Sequence, residues 1–443
     1  MVVQEKFSNA EASVPFRHAL AVWWRIGFLS FGGPAGQIAL MHRIVVEEKR
    51  WLDEKRFLHA LNYCMLLPGP EAQQLATYTG WLLHGVRGGL AAGILFILPG
   101  AFAILALSWL YVLLGDLSVV EGLFFGLKAA VLAIVVQAMI RIAGRTLHGI
   151  LNPLLAAGGF TALFVFNVPF PVVVLGAGLF GYIAAKAAAP SGGVEADGPG
   201  SAPEITVRPG TKRAAAVCLL LWVVTLGLLF GLFGGGHVYT QLGAFFSKMA
   251  VVTFGGAYAV LSYVAQQGVE HYGWLQPGEM LDGLGMAETT PGPLILVTQF
   301  VGFMAGFREA GTGPALLAAT LGAALTTWIT FLPCFLWIFG GAPYLEKLRG
   351  NRPLSAALAA ITAAVVGVIA NLALWFAVNA LFAEQRTYTG AGMDFRYPLP
   401  GSIDPAMLLI TVAAAVMVFV FKVRILVLLG SCSALGIVWT VFG

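Results

Sequence analysis

The sequence predicts an all-α polytopic membrane protein of two homologous halves, arranged as an inverted-topology repeat with broken or re-entrant helices. Three observations predict it. The 443 residues are 59% hydrophobic and only 10% charged, with a mean hydropathy of +0.85, whereas a soluble domain carries about 25% charged residues. Residues 24–70 align with 247–293 without a gap, at a constant offset of 223. Phe31-Gly32-Gly33 falls on Phe254-Gly255-Gly256, Trp51-Leu52 on Trp274-Leu275, and Pro68-Gly69-Pro70 on Pro291-Gly292-Pro293. Finally, the loop at 43–56 carries Arg43, Lys49, Arg50, Lys55 and Arg56, while its counterpart at 266–279 has no Lys or Arg. The positive-inside rule therefore puts the two loops on opposite sides of the membrane.

Residues 1–16 read as an N-terminal tail, with no apolar stretch of the secretory kind. The first repeat covers 17–187. Its segments 17–42 and 57–86 are apolar but interrupted by Gly-Gly-Pro and Pro-Gly-Pro. Proline removes a backbone donor and clashes with the preceding turn, and at membrane depth such breaks survive only where protein or a water-filled cavity satisfies the freed groups. They are expected to be broken helices or helical hairpins around a central cavity. Spans of about 20 residues or more follow at 88–115 and 119–141, and a tighter pair fills 149–187, divided at Pro169 and Pro171.

Residues 188–213 are rich in Pro, Gly and Ser and cannot bury a core, so they form a linker placed in the cytoplasm. The helix at 214–234 has no counterpart in the first half and reverses the second. The second repeat, 238–443, has interrupted segments at 240–265 and 279–306, spans at 313–340 and 354–382, and a pair in 403–443 divided at Lys422 and Arg424. Under this assignment most cationic loops lie inside, and only Arg308, Arg386 and Arg396 lie outside. Trp51 and Trp274, which begin the segments entering the membrane, are expected to be interfacial anchors.

Several chemistries are excluded. The net charge of +4 is too small to indicate nucleic acid. The cysteines at 64, 218, 334 and 432 show no CxxC spacing and read as small buried hydrophobes. The seven histidines form no ligand-spaced pair, so no metal or cofactor is expected. An enzyme acting on lipid would need a metal cluster or an acid/His constellation that the sequence lacks.

Interrupted segments at matching positions of two halves are the sequence pointer to a transporter's binding site. Gly32, Gly33, Gly255 and Gly256, with Pro68-Gly69-Pro70 and Pro291-Gly292-Pro293, either permit close helix packing or start half-helices that turn free N–H groups toward an anion. Arg25 and Lys248 each stand seven residues before the first glycine of their break; they either serve an anion site or snorkel. Ser30 and Thr253 either donate to an anion or back-bond to helix carbonyls. Asn62, Gln73, Gln74 and Tyr78 line a cavity or join helices, and Thr289 and Thr290 lead into the second Pro-Gly-Pro. Glu71 either caps a half-helix or, like Glu288, exchanges a coupling proton. Lys128, in span 119–141 without a charged counterpart in the second half and two turns from Glu121, either snorkels or belongs to the site.

At these residues the chain resembles the chromate ion transporter family in its long two-domain bacterial form. The resemblance rests on Phe31-Gly32-Gly33-Pro34-Ala35-Gly36-Gln37-Ile38 with Met41-His42-Arg43, on Arg56-Phe57-Leu58-His59-Ala60-Leu61-Asn62-Tyr63-Cys64, and on Leu67-Pro68-Gly69-Pro70-Glu71-Ala72-Gln73-Gln74-Leu75-Ala76. Thr253-Phe254-Gly255-Gly256 and Ala287-Glu288-Thr289-Thr290-Pro291-Gly292-Pro293 carry it into the second half. It implies a secondary active transporter of the bacterial inner membrane that exports chromate and confers resistance. Some relatives are similar to carriers of sulfate or other oxyanions, uptake included. The implied partners are a tetrahedral oxyanion, the lipid bilayer and protons, and the oligomeric state is left open, with a homodimer among the options. The second half departs from the pattern: Ala257 replaces the proline after Gly-Gly, and no glutamine pair follows its Pro-Gly-Pro. The two halves are therefore not expected to be equivalent at the substrate.

Overall fold

A computed structural model describes residues 14–187, 210–254, 257–309, 311, 313–341, 352–390 and 392–442. Most of the tail, most of the Pro/Gly-rich linker, and Gly255 and Gly256 lie outside the described residues.

Helix α1 (Phe16–Leu29) stops at Ser30, because Gly32 (φ 85°) and Gly33 (φ 72°) take left-handed backbone that side chains disfavour. Pro34 then starts α2 (Gly33–His42), where a missing N–H costs nothing. A π-helical turn (Arg43–Glu48) leads to α3 (Glu54–Cys64), whose first turn is capped by the Asp53 carboxylate accepting from the Arg56 N–H at 2.8 Å. The His18 ring meets Trp51 edge-on at 5.8 Å, so the chain leaves this hairpin at the end where it entered. After Pro68-Gly69-Pro70, α4 (Glu71–Leu114) doubles back at His84 and Gly85 (φ 63°, ψ −150°) into arms 71–83 and 86–114. There His84 Nε2 lies 2.7 Å from the Val14 carbonyl oxygen. Both interrupted segments of the first half are thus re-entrant.

The second half repeats this course with α9 (Val238–Val252), α10 (Ala257–Gln266), a π-turn (Gln267–His271), α11 (Pro277–Thr289), a 3-10 turn (Leu294–Leu296), α12 (Val297–Arg308) and α13 (Ala315–Gly341). The single folded-back α4 corresponds to α12 plus α13. In both hairpins two glycines let the arms touch: a Cβ on Gly80 or Gly88 would strike the other's carbonyl, and so would one on Gly302 or Gly322. Trp274 corrects an expectation. It is 2% exposed and stacks on Tyr272 at 4.2 Å, so it closes the second hairpin from within and does not anchor at the lipid interface.

Helix α8 (Thr211–Phe233) orients the halves. Trp81 Nε1, beside the α4 turn, donates to Thr211 Oγ1 at 3.0 Å, whereas Phe233 packs on His237 and Tyr239. Tyr239 in turn donates to the Ala318 carbonyl at 3.0 Å. The first half's hairpins therefore open at the Thr211 end and the second half's at the Phe233 end. The 23 residues of α8 rise about 34 Å, enough for a bilayer core of about 30 Å. The repeat is inverted.

Helices α5 (Ser118–Thr146), α6 (Leu151–Phe164) and α7 (Phe170–Ala187) match α14 (Arg352–Leu381), α15 (Pro405–Phe419) and α16 (Ile425–Phe442). They pack by exchange: α5 lies on α15 and α16, and α14 on α6 and α7. Small residues make the seams, with Gly126 against the Cys432 carbonyl and Gly367 against the Ala156 carbonyl. Seven helices among the described residues are long and apolar enough to cross a membrane. The four cysteines are buried and unbridged. One element departs from all-α: strands β1 (Gln385–Gly390) and β2 (Met393–Pro398) pair antiparallel between α14 and α15. They occupy the polar loop between these helices, to which the sequence reading assigns no structure.

Candidate functional site

The two breaks and the two Pro-Gly-Pro turns meet across the repeat. The Gly292 N–H donates to the Ser30 carbonyl at 2.8 Å, and the Gly69 N–H donates to the Thr253 carbonyl at 2.9 Å. Ser30 and Thr253 are equivalent positions, as are Gly69 and Gly292. Each break thus receives the opposite half's turn, the reciprocal contact of a two-fold pair. Both glycines need positive φ, 119° at Gly69 and 98° at Gly292.

Half-helices α2, α4 and α10 and the 3-10 turn before α12 all begin at these breaks. Their first N–H groups lack helical partners and carry the positive end of each helix dipole. Amide side chains fill in around them. Gln37 Nε2 donates to the Gly292 carbonyl at 2.6 Å, Gln74 Nε2 to the Pro68 carbonyl at 2.7 Å, and Gln73 Nε2 to Thr77 Oγ1 at 3.0 Å. Gln37 Oε1, Gln73 Oε1, Gln74 Oε1 and the Tyr78 hydroxyl are buried without a partner. Buried polar atoms are satisfied as a rule, so unmet ones mark places for water or a ligand. All four belong to the first half, whose motif is the more complete. Gln37 was missed as a site residue, although its place on the half-helix after Gly-Gly-Pro was a usable signal.

Other candidates lie further out. The Ser30 and Thr253 hydroxyls donate to the Ile26 and Met249 carbonyls, and those of Thr289 and Thr290 also turn back on their helix. For Ser30 and Thr253 the back-bonding alternative is realised. Arg25, half exposed, pairs with Glu48 at 3.3 Å. Lys248 Nζ lies 3.2 Å from the Tyr263 hydroxyl. The two cations do not meet at the breaks. Asn62 is on the exposed face of α3. Glu71 sits in the first turn of α4. Glu288 is 3% exposed and accepts from the Tyr258 hydroxyl at 2.6 Å. Lys128 finds a partner the sequence reading missed, Asp282 at 3.4 Å.

Inverted halves whose re-entrant hairpins meet tip to tip define a polytopic membrane carrier of the inverted-repeat class. The chain belongs to the chromate transporter family, whose model matches residues 18–182 and 240–437. It is 32% identical to the chromate transport protein of Pseudomonas aeruginosa over 78% of this chain and 77% of that one. It is 28% identical to the chromate transport protein of Cupriavidus metallidurans over 82% and 83% of the two chains. An uncharacterized transporter of Methanocaldococcus jannaschii is 24% identical over 84% of this chain and 86% of that one. No solved structure matches the chain.

Proposed function

We propose that this multi-pass membrane protein exports chromate from the cytoplasm across a bacterial inner membrane and so confers chromate resistance. The observation that carries the reading is the reciprocal pairing of breaks and turns, Gly292 with Ser30 and Gly69 with Thr253. It brings half-helix N-termini from both halves to one level, where a tetrahedral dianion is held by backbone N–H groups. Gly32, Gly33 and the two Pro-Gly-Pro turns form this cradle, and Gln37, Gln73, Gln74 and Tyr78 line its first-half side; Gly255 and Gly256, the sequence counterparts of Gly32 and Gly33, lie outside the described residues. Arg25 and Lys248 add positive field from a distance.

The cytoplasm lies at the Thr211 end, where Arg43, Lys49, Arg50, Lys55, Arg56 and Arg87 gather. Outward movement of a dianion down a negative-inside potential releases roughly 4.6 kcal/mol per 100 mV. At about 1.4 kcal/mol per tenfold, that sustains a gradient of about a thousandfold without ATP. Protons exchanged at a buried carboxyl add to this drive, with Glu71 and Glu288 as the sequence-derived candidates.

A second reading, transport of sulfate, is favoured by the cradle itself, because backbone N–H groups and amides do not distinguish two tetrahedral dianions of equal charge. Purified protein in liposomes, assayed for chromate flux with sulfate as competitor, tests both. Voltage-driven chromate flux that sulfate fails to suppress supports the first reading, equal competition supports the second, and no oxyanion flux overturns both.

A further inference from the structure

A charge pair with a buried carboxylate and a partly buried lysine ties the second half's hairpin to the first half, away from the cradle. Asp282, on α11, is 3% exposed. Its Oδ2 lies 3.4 Å from Lys128 Nζ of α5 and accepts from the Tyr111 hydroxyl of α4 at 3.0 Å, while its Oδ1 has no partner. Lys128 stands ten residues into α5, about 15 Å from the helix start, and Asp282 five residues into α11, about 8 Å from its start, so the pair lies inside the helices read as membrane-embedded. Charge at that depth is costly and marks function more often than packing, and replacing a buried pair by apolar side chains is often neutral or stabilising.

The surroundings isolate Asp282. Glu279, one turn earlier on α11, is taken by Arg308 of α12 at 2.6 Å. Helices α14 and α16 also touch α11; α14 carries only Arg352, at its far end, and α16 only Cys432. Lys128 is therefore the cation that balances Asp282. A carboxyl couples a proton to movement only if losing its charge changes a contact between parts that move. Glu288 accepts from Tyr258 within its own half, whereas Asp282 bridges the halves.

We propose that Asp282 is the carrier's proton-accepting site, with Lys128 as its resident counter-ion; this rests on the reading of the chain as an oxyanion exporter. A proton arriving from the Phe233 end adds to the carboxylate and neutralises it. The attraction to Lys128 is then lost and α11 is released from α5. Return of the proton to the cytoplasm restores the pair. Glu71 and Glu288 are not needed for this exchange.

The test is made in proteoliposomes, reading chromate/chromate exchange, pH-gradient-driven chromate flux, and proton movement by an internal pH dye. For Asp282→Asn, exchange is expected within about twofold of the unsubstituted protein, while gradient-driven flux and chromate-linked proton movement fall at least tenfold. The double substitution Lys128→Gln with Asp282→Asn, which leaves no uncompensated charge, is expected to behave the same way and is read instead if the single variant is unstable. Gradient coupling retained in either variant overturns the proposal. So does loss of exchange in both, because a group that carries only the coupling proton is not required for exchange. If the unsubstituted protein exchanges chromate but ignores the pH gradient, the proposal fails while the functional reading stands. If it shows no oxyanion exchange at all, that reading itself fails.

Discussion

Gly69 shows how a single residue serves both fold and site. Its φ of 119° excludes most side chains, and an added Cβ would sit 2.9 Å from Gln74 Nε2 and 3.1 Å from Cys334 Sγ. Gly292 has φ 98°, and its Cβ would meet Leu296 Cδ1 at 3.1 Å. Alanine at either position costs about 1–3 kcal/mol of backbone strain. Chromate flux is expected to fall tenfold or more in both variants while folded protein is still recovered. Gly69→Ala should be the more damaging, because its methyl displaces the amide that holds Pro68. Near-normal flux from both, measured beside thermal stability in detergent, would remove the turns from the site. Arg25→Gln and Lys248→Gln probe the field without touching the cradle. Each should raise KM a few-fold with the maximal rate kept, and a double variant indistinguishable from the parent would show that these cations serve only Glu48 and Tyr263.

At the scale of elements, the re-entrant hairpins place the first-half loop and its twin at opposite membrane faces. Glu48 and His271 are both exposed in these loops, and the native cysteines are buried. Glu48→Cys should therefore react with an impermeant thiol reagent from the cytoplasmic side and His271→Cys from outside; labelling of both from one side contradicts the inverted arrangement. The second hairpin is closed by Trp274, against Phe246 and Tyr272 and with its carbonyl bonded by Arg308. Trp274→Ala should cost about 3–5 kcal/mol, read as a lowered unfolding temperature, whereas the half-buried Trp51 should cost less.

In the whole molecule, the halves are interlocked by exchange, α5 on α15 and α16 and α14 on α6 and α7. Each half's long helix, α5 or α14, is buried mainly by the other half. Residues 1–195 and 196–443 expressed as separate chains should therefore assemble into active protein when made together, and each should be degraded when made alone. Transport by either half alone would show that the exchanged contacts are dispensable.

By itself the sequence determined the helical membrane class, the duplication and the positions of nearly every span, because lipid demands long apolar segments and broken ones stand out against them. It also exposed the breaks, since Gly-Gly-Pro and Pro-Gly-Pro repeat at one offset. Tertiary structure decided what those breaks touch. Gly69 pairs with Thr253 and Gly292 with Ser30 across 184 and 262 residues of chain, and no local pattern records so distant a hydrogen bond. It decided as well that Arg25 and Lys248 turn to separate partners, and that Trp274 is a core residue. It brought Lys128 to Asp282, residues that mean little until helices from two halves are laid side by side. Composition and periodicity report what each segment must avoid in a membrane; only the packed molecule fixes which polar groups satisfy one another, because that depends on contacts between residues remote in sequence.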